Sequence, residues 1–147
     1  MNKTIDSFSG DYDFLSNFYP CSVIYDGYIY PSSEAAFQAA KCIKRSERLI
    51  FTQLSPNEAK KLGRKVELRE DWEGVKNKIM LEIVINKFVY NPKLAQKLLD
   101  TGETRLVEGN TWNDTYWGVC NGVGKNHLGA ILMEARSYLR SVAENYR

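Results

Sequence analysis

Cysteine and histidine are scarce in this sequence. Cys21, Cys42 and Cys120 are the three cysteines, far apart and without a CxxC pair, and His127 is the one histidine. An odd, scattered set of thiols excludes a disulfide framework and reads as reduced and structural. With so few nitrogen and sulfur ligands, a transition-metal site would have to be built almost wholly from carboxylates, and zinc is not expected. A Cys120 nucleophile is discounted for the same reason: only His127, seven residues away in a loop, could serve it. A dominant charge sign is also missing. Lys plus Arg total 20 against 18 Asp plus Glu, a formal +2, too balanced for a nucleic-acid binder held by bulk charge, so any anionic ligand must be met locally. Long apolar runs are absent as well. The longest, Ile79 to Tyr90, is broken by Glu82, Asn86 and Lys87, and the first residues, Met1 to Phe14, hold no apolar leader segment. Neither a signal peptide nor a membrane span is expected, and the location is read as cytoplasmic.

What is present is an ordinary folding composition. With 147 residues, 44% hydrophobic and 26% charged, and no repeat or Pro/Gly/Ser-rich linker, residues 1–147 are expected to form one domain. Val23-Ile24-Tyr25 and Tyr28-Ile29-Tyr30 flank Asp26-Gly27, the signature of a β-hairpin. Ser32 or Ser33 can cap a helix that starts near Glu34 and runs to Lys41. Ser55-Pro56-Asn57-Glu58 matches a capping box with proline at the first helical position, and Gly63 stands where that helix should close. A longer helix is expected from Asp71, its apolar face formed by Trp72, Val75, Ile79, Met80, Ile83, Val84 and Phe88. Asn91-Pro92 restarts a helix that ends near Thr101-Gly102, and a short strand is placed at Thr104 to Val107. Residues Gly109 to Lys125 hold four glycines, three asparagines and two tryptophans without periodicity, and read as a long loop carrying chemistry. Leu128, Ile131, Leu132, Ala135, Tyr138, Leu139 and Val142 then mark an amphipathic C-terminal helix. The fold class is a predominantly helical α+β domain with a small antiparallel β-sheet near its N-terminus.

Three places can carry chemistry. Glu34, Gln38 and Lys41, at i, i+4 and i+7, share one helix face beside alanines. This is either a solvated stripe or a site whose carboxylate sits in the first turn, where the helix dipole favours its charge. Asn113-Asp114-Thr115-Tyr116-Trp117-Gly118 is either a loop in which Trp112 and Trp117 plug the core and Asp114 caps a turn, or a pocket wall with an aromatic face for a base. Gly122-Val123-Gly124-Lys125-Asn126 resembles a phosphate cradle, with a cation and free N–H groups at a helix start, although it is not a Walker motif. Asn17 and Phe18, in Ser16-Asn17-Phe18-Tyr19-Pro20, form either a turn or a polar ligand contact, and Trp72 is either core or a ligand platform. His127 reads as a capping or phosphate-neighbouring residue.

Taken in order, SNFYP at Ser16–Pro20, DGYIYPSSEAAFQAAK at Asp26–Lys41, DWEGVKNKIM around Trp72, Lys87-Phe88, LLDTG at Leu98–Gly102, NDTYWG and GKNHLGAILMEAR resemble the NADAR, or YbiA-like, family over nearly the whole chain. The resemblance implies an N-glycosidase that hydrolyses the bond between ribose C1′ and a nitrogen and that needs no metal and no cofactor. Its small-molecule substrate would be a phosphoribosylaminopyrimidine of riboflavin synthesis or an ADP-ribosyl group on guanine, with ADP-ribosylated nucleic acid as the larger form of the latter. The family's functional positions map onto Glu34, Trp72, Asp114 and Trp117. Catalysis is expected from Glu34, opposing charge on C1′ and orienting water, with Asp114 holding ribose hydroxyls or assisting the departing nitrogen. Asn17, Phe18, Gln38, Lys41, Trp72, Trp117, Gly118, Lys125 and Asn126 are the expected substrate-binding residues. Two departures bear on the substrate. Ala35-Ala36 replace bulky residues common in the family and would widen the pocket if they face it, and Val119-Cys120-Asn121 replace a glycine-rich run. The competing reading is a non-catalytic ADP-ribose or nucleotide-binding module. Two carboxylates, Glu34 and Asp114, argue against it, because binding phosphates and a base does not require them.

Overall fold

Asp26 and Gly27 take left-handed φ values of 48° and 85°, the geometry of a two-residue hairpin turn. The computed structural model describes residues 3–145. In chain order its elements are β1 (Thr4–Ile5), a 3-10 helix (Gly10–Leu15), β2 (Val23–Tyr25), β3 (Tyr28–Tyr30), α1 (Ser33–Ala40), α2 (Arg45–Ile50), a second 3-10 helix (Phe51–Gln53), α3 (Pro56–Gly63), α4 (Trp72–Val89), α5 (Pro92–Asp100), β4 (Arg105–Leu106), β5 (Gly109–Asn110), β6 (Val119–Cys120) and α6 (His127–Asn145). This is the helical α+β class expected, hairpin included. The chain divides into two compact units, one of residues Asn17–Asn91 and one of the segments up to Ser16 and from Pro92 onward.

In the Asn17–Asn91 unit, β2 and β3 pair antiparallel with Ile24 opposite Ile29. Arg45 donates to Asp26 O at 2.8 Å, and Arg48 donates to the Asp26 carboxylate at 2.8 Å and to Cys42 O, which ties α2 to the hairpin turn. Ser32, rather than Ser33, caps α1, its hydroxyl accepting from Ala35 N at 3.1 Å. The Ser55 capping box forms in both directions, Glu58 N to Ser55 Oγ and Ser55 N to Glu58 Oε1. α4 buries Trp72, Ile79, Met80, Ile83, Val84, Lys87 and Phe88. Asn86, which interrupts its apolar run, and Asn91, just past its end, fasten it to the hairpin side, since Asn86 donates to Ile24 O at 2.9 Å and Asn91 to Ser22 O at 2.8 Å. Polar residues in a buried helix are satisfied when they take up strand carbonyls.

In the other unit, the short strand expected near Thr104 exists as β4, paired parallel with β1, and β5 pairs parallel with β6. Neither parallel pair was expected. Strands of two residues carry no alternation that a sequence pattern can show. α6 buries Leu128, Ile131, Leu132, Ala135 and Leu139 as its spacing predicts, but also Arg136, while Tyr138 is 47% exposed and leaves the apolar stripe. Arg136 donates to Thr101 Oγ1 at 2.9 Å and Thr104 O at 2.8 Å, and Arg140 donates to Gly102 O at 2.9 Å. The turn after α5 is therefore held by two arginines of α6. Among the described residues no helix is long and apolar enough to cross a membrane.

Candidate active site

All eight residues of α1 are buried, with α2, α3, α4, β2, β3 and residues 51–53 packed around them. The small side chains Ala35, Ala36, Ala39 and Ala40 allow that crowding. Ala35 and Ala36 have no accessible surface, so neither widens an open pocket.

Crowding also removes the solvated-stripe reading of Glu34 and Gln38, which are 8% and 6% exposed. A carboxylate taken out of water has to be met by donors. Gln38 Nε2, one helical turn on, donates to Glu34 Oε1 at 2.9 Å. The Glu34 backbone N–H donates to Asn17 O at 3.0 Å, and Asn17 Nδ2 reaches Met80 Sδ at 3.6 Å. The Asn17–Pro20 segment is thus docked against the first turn of α1 through Asn17, while Phe18 remains exposed beneath Lys60 Nζ, 5.8 Å from its ring centre. Gly63 ends α3 without the left-handed conformation expected of a closing glycine. Its reason is proximity: a Cβ there would collide with Gln38 Oε1 and lie 2.8 Å from Gln38 Cδ.

Lys41 completes the stripe. Its Nζ lies 6.0 Å from the centre of the Trp72 ring, and Trp72, 5% exposed, packs on Phe37 with ring centres 5.0 Å apart. Burial pushes the Lys41 ammonium below the ordinary lysine pKa, with the Glu34 carboxylate opposing and Arg64 and Lys76 adding to the depression. Arg64 and Lys76 therefore belong to the same cationic neighbourhood. The sequence reading missed them, although Lys76 stands one turn after Trp72 and Arg64 directly follows Gly63.

The remaining expected residues fall in the other unit. Asp114 Oδ1 accepts from Tyr116 N at 3.1 Å and Trp117 N at 2.9 Å, a side-chain-capped turn that sets the direction of both rings. Trp112 does not plug the core as one reading had it, being 59% exposed. Trp117 is half-buried and meets Tyr116 edge-on at 4.8 Å, and Tyr116 lies 4.5 Å from the His127 ring. Lys125 Nζ sits 5.8 Å from the Tyr116 ring centre. Gly118 is a close approach, since a Cβ there would strike Glu108 O and lie 2.7 Å from Asn110 Nδ2.

Asn126, 6% exposed with φ of 55°, spends both ends of its amide on backbone: Oδ1 accepts from Glu108 N at 3.0 Å and Nδ2 donates to Leu106 O at 3.0 Å. The N–H groups assumed free in the phosphate-cradle reading are already used. Lys125, Asn126, His127 and Leu128 N–H donate to Thr115, Gly118, Tyr116 and Trp117 carbonyls. The Gly122 segment is instead a tight turn, with Asn121 and Gly122 at φ of 52° and 78° and Cys120 and Val123 exchanging backbone hydrogen bonds. All three cysteines are free, Cys42 and Cys120 buried. Among the described residues no group of three or more His, Cys, Asp or Glu is placed to hold a metal ion.

The NADAR domain profile matches residues 6–140. N-glycosidase YbiA of Escherichia coli strain K12 is 40% identical over 146 residues, taking in 95% of this chain and 91% of that protein. An N-glycosidase of Nostoc punctiforme is 36% identical over 138 residues, with 89% and 88% covered. A riboflavin biosynthesis protein of Vibrio vulnificus is 38% identical over 138 residues, 90% of this chain but 37% of that longer protein. The NMR structure of Escherichia coli YbiA matches this one with a TM-score of 0.86 at 36% identity, over 100% of this chain and 90% of that one. The chain belongs to the NADAR domain family.

Proposed function

We propose that this protein is an N-glycosidase that hydrolyses the bond between ribose C1′ and a nitrogen, with Glu34 as its catalytic carboxylate. The observation that carries the reading is the burial of Glu34 on α1 with Gln38 as an oriented donor and Lys41 nearby. Breaking the C1′–N bond leaves positive charge on C1′ and the ring oxygen, and a fixed carboxylate in a water-poor setting opposes that charge most strongly. Water oxygen bonds to C1′, the C1′–N pair leaves with the nitrogen, and the water's proton is delivered to the leaving group. Lys41, with Arg64 and Lys76, supplies positive charge suited to a substrate phosphate.

The preferred substrate class is a phosphoribosylaminopyrimidine, because one relative is a riboflavin biosynthesis protein. ADP-ribosyl guanine, free or in nucleic acid, is the alternative with the same scissile bond. Trp117 is proposed as an aromatic contact for a base, and Asp114, through its turn, as the residue that aims that ring. Purified protein offered both substrates should release ribose 5-phosphate and free aminopyrimidine from the first. Release of ADP-ribose alone would select the second substrate, and binding of both without release would identify a nucleotide-binding module.

A further inference from the structure

Gln38 faces two ways. Its Nε2 donates to Glu34 Oε1, while its Oε1 is buried without a hydrogen-bond partner and lies over Gly63, where any Cβ would collide with it. An ionised carboxylate only accepts hydrogen bonds, so it selects the amide orientation with nitrogen toward Glu34 and oxygen toward α3. That orientation needs space on the far side, and the missing side chain of Gly63 provides it.

We propose that Gly63 and Gln38 are positioning residues for the Glu34 carboxylate: the bare backbone at the end of α3 seats the Gln38 amide, and the amide fixes the glutamate rotamer. This rests on the reading of Glu34 above. The atoms that an added methyl at Gly63 would displace are chiefly the far end of a flexible side chain. Gly63 also has helical geometry, where alanine is favoured over glycine. A methyl there disturbs the position of the Gln38 amide far more than it disturbs the fold.

The test is a cycle of Gly63→Ala, Gln38→Ala and the double variant, with Glu34→Gln alongside. Each is followed by thermal unfolding, by the NMR signal of the Gln38 side-chain amide where Gln38 is retained, and by steady-state kinetics on the substrate that wild type cleaves. Gly63→Ala should fold normally, shift the Gln38 amide signal and lower kcat by roughly 10-fold, the order of one hydrogen bond to a charged group, with KM within about twofold. In the Gln38→Ala background the same change should add nothing, because the group it displaces is gone. Wild-type turnover or an unmoved amide signal in folded Gly63→Ala overturns the relay, as does an equal further loss in the double variant. Glu34→Gln separates the two readings. If it loses turnover while Gly63→Ala does not, the relay falls and the Glu34 assignment stands. If Glu34→Gln turns over normally, the Glu34 assignment falls and the relay loses its role in catalysis.

Discussion

The two units hold their polar residues by different means. On α1, Glu34 is positioned by regular structure: a capped helix, a donor one turn away and helices packed on nearly every side. In the Gly109–Lys125 segment the order comes from side chains bonding to backbone, with Asp114 holding the turn before Trp117 and Asn126 bridging Leu106 and Glu108. A helix fixes a side chain through packing, whereas an irregular loop fixes one through individual hydrogen bonds. Single substitutions should therefore act differently in the two places.

The largest expected effect is at Trp72, whose ring is enclosed against Phe37. Trp72→Ala should cost about 3–5 kcal/mol of stability, read from the denaturant midpoint. A variant of unchanged stability and raised KM would make Trp72 a ligand platform instead. Asn126→Ala comes next. It strands a part-buried N–H and a buried carbonyl, at a cost of about 2–3 kcal/mol, and a pure binding defect at full stability would show that the bridge matters less than a ligand contact. Trp117→Ala should weaken substrate binding by about 1–3 kcal/mol, with Trp117→Phe retaining part of it. Titration of the folded variants decides, and loss of fold with intact binding would place the ring in the core. The smallest effect is at Glu58. The backbone N–H of Ser55 holds its carboxyl below the usual range. A depressed folded-state pKa contributes stability above the unfolded value, and this is lost as pH falls through the folded one. Glu58→Gln should keep full activity and show a weaker acid dependence of unfolding than wild type. A large loss of turnover in the folded variant would move Glu58 from cap to catalyst.

Legibility followed the same division. The hairpin, the α3 capping box and the α4 and α6 faces were readable because dipeptide, cap and 3.6-residue period are local signals. The Glu34–Gln38 pair was visible as spacing, but its burial was not, since spacing alone also fits a solvated face. Gly63 looked like a helix stop because its partner Gln38 lies 25 residues earlier, and no local pattern reports a close approach between helices. The parallel pairs β1–β4 and β5–β6 join distant two-residue segments. Asn121-Gly122 was a missed local signal: Asn-Gly favours a tight turn, yet the following glycine and lysine suggested a phosphate cradle. The N–H groups that reading required are taken by carbonyls more than six residues back in the chain.

Glu34 is the residue on which the proposed chemistry depends, and Glu34→Gln measured for binding and chemistry separately tests its role most directly. Glutamine keeps the shape and removes the charge, so uncleaved substrate or product should bind near normally, while single-turnover cleavage should fall by roughly 10²–10⁴-fold. Glu47→Gln, an equal change in net charge elsewhere, should cleave like wild type. Near-normal cleavage by Glu34→Gln would contradict the account and move the chemistry to another carboxylate, with Asp114 the first to test.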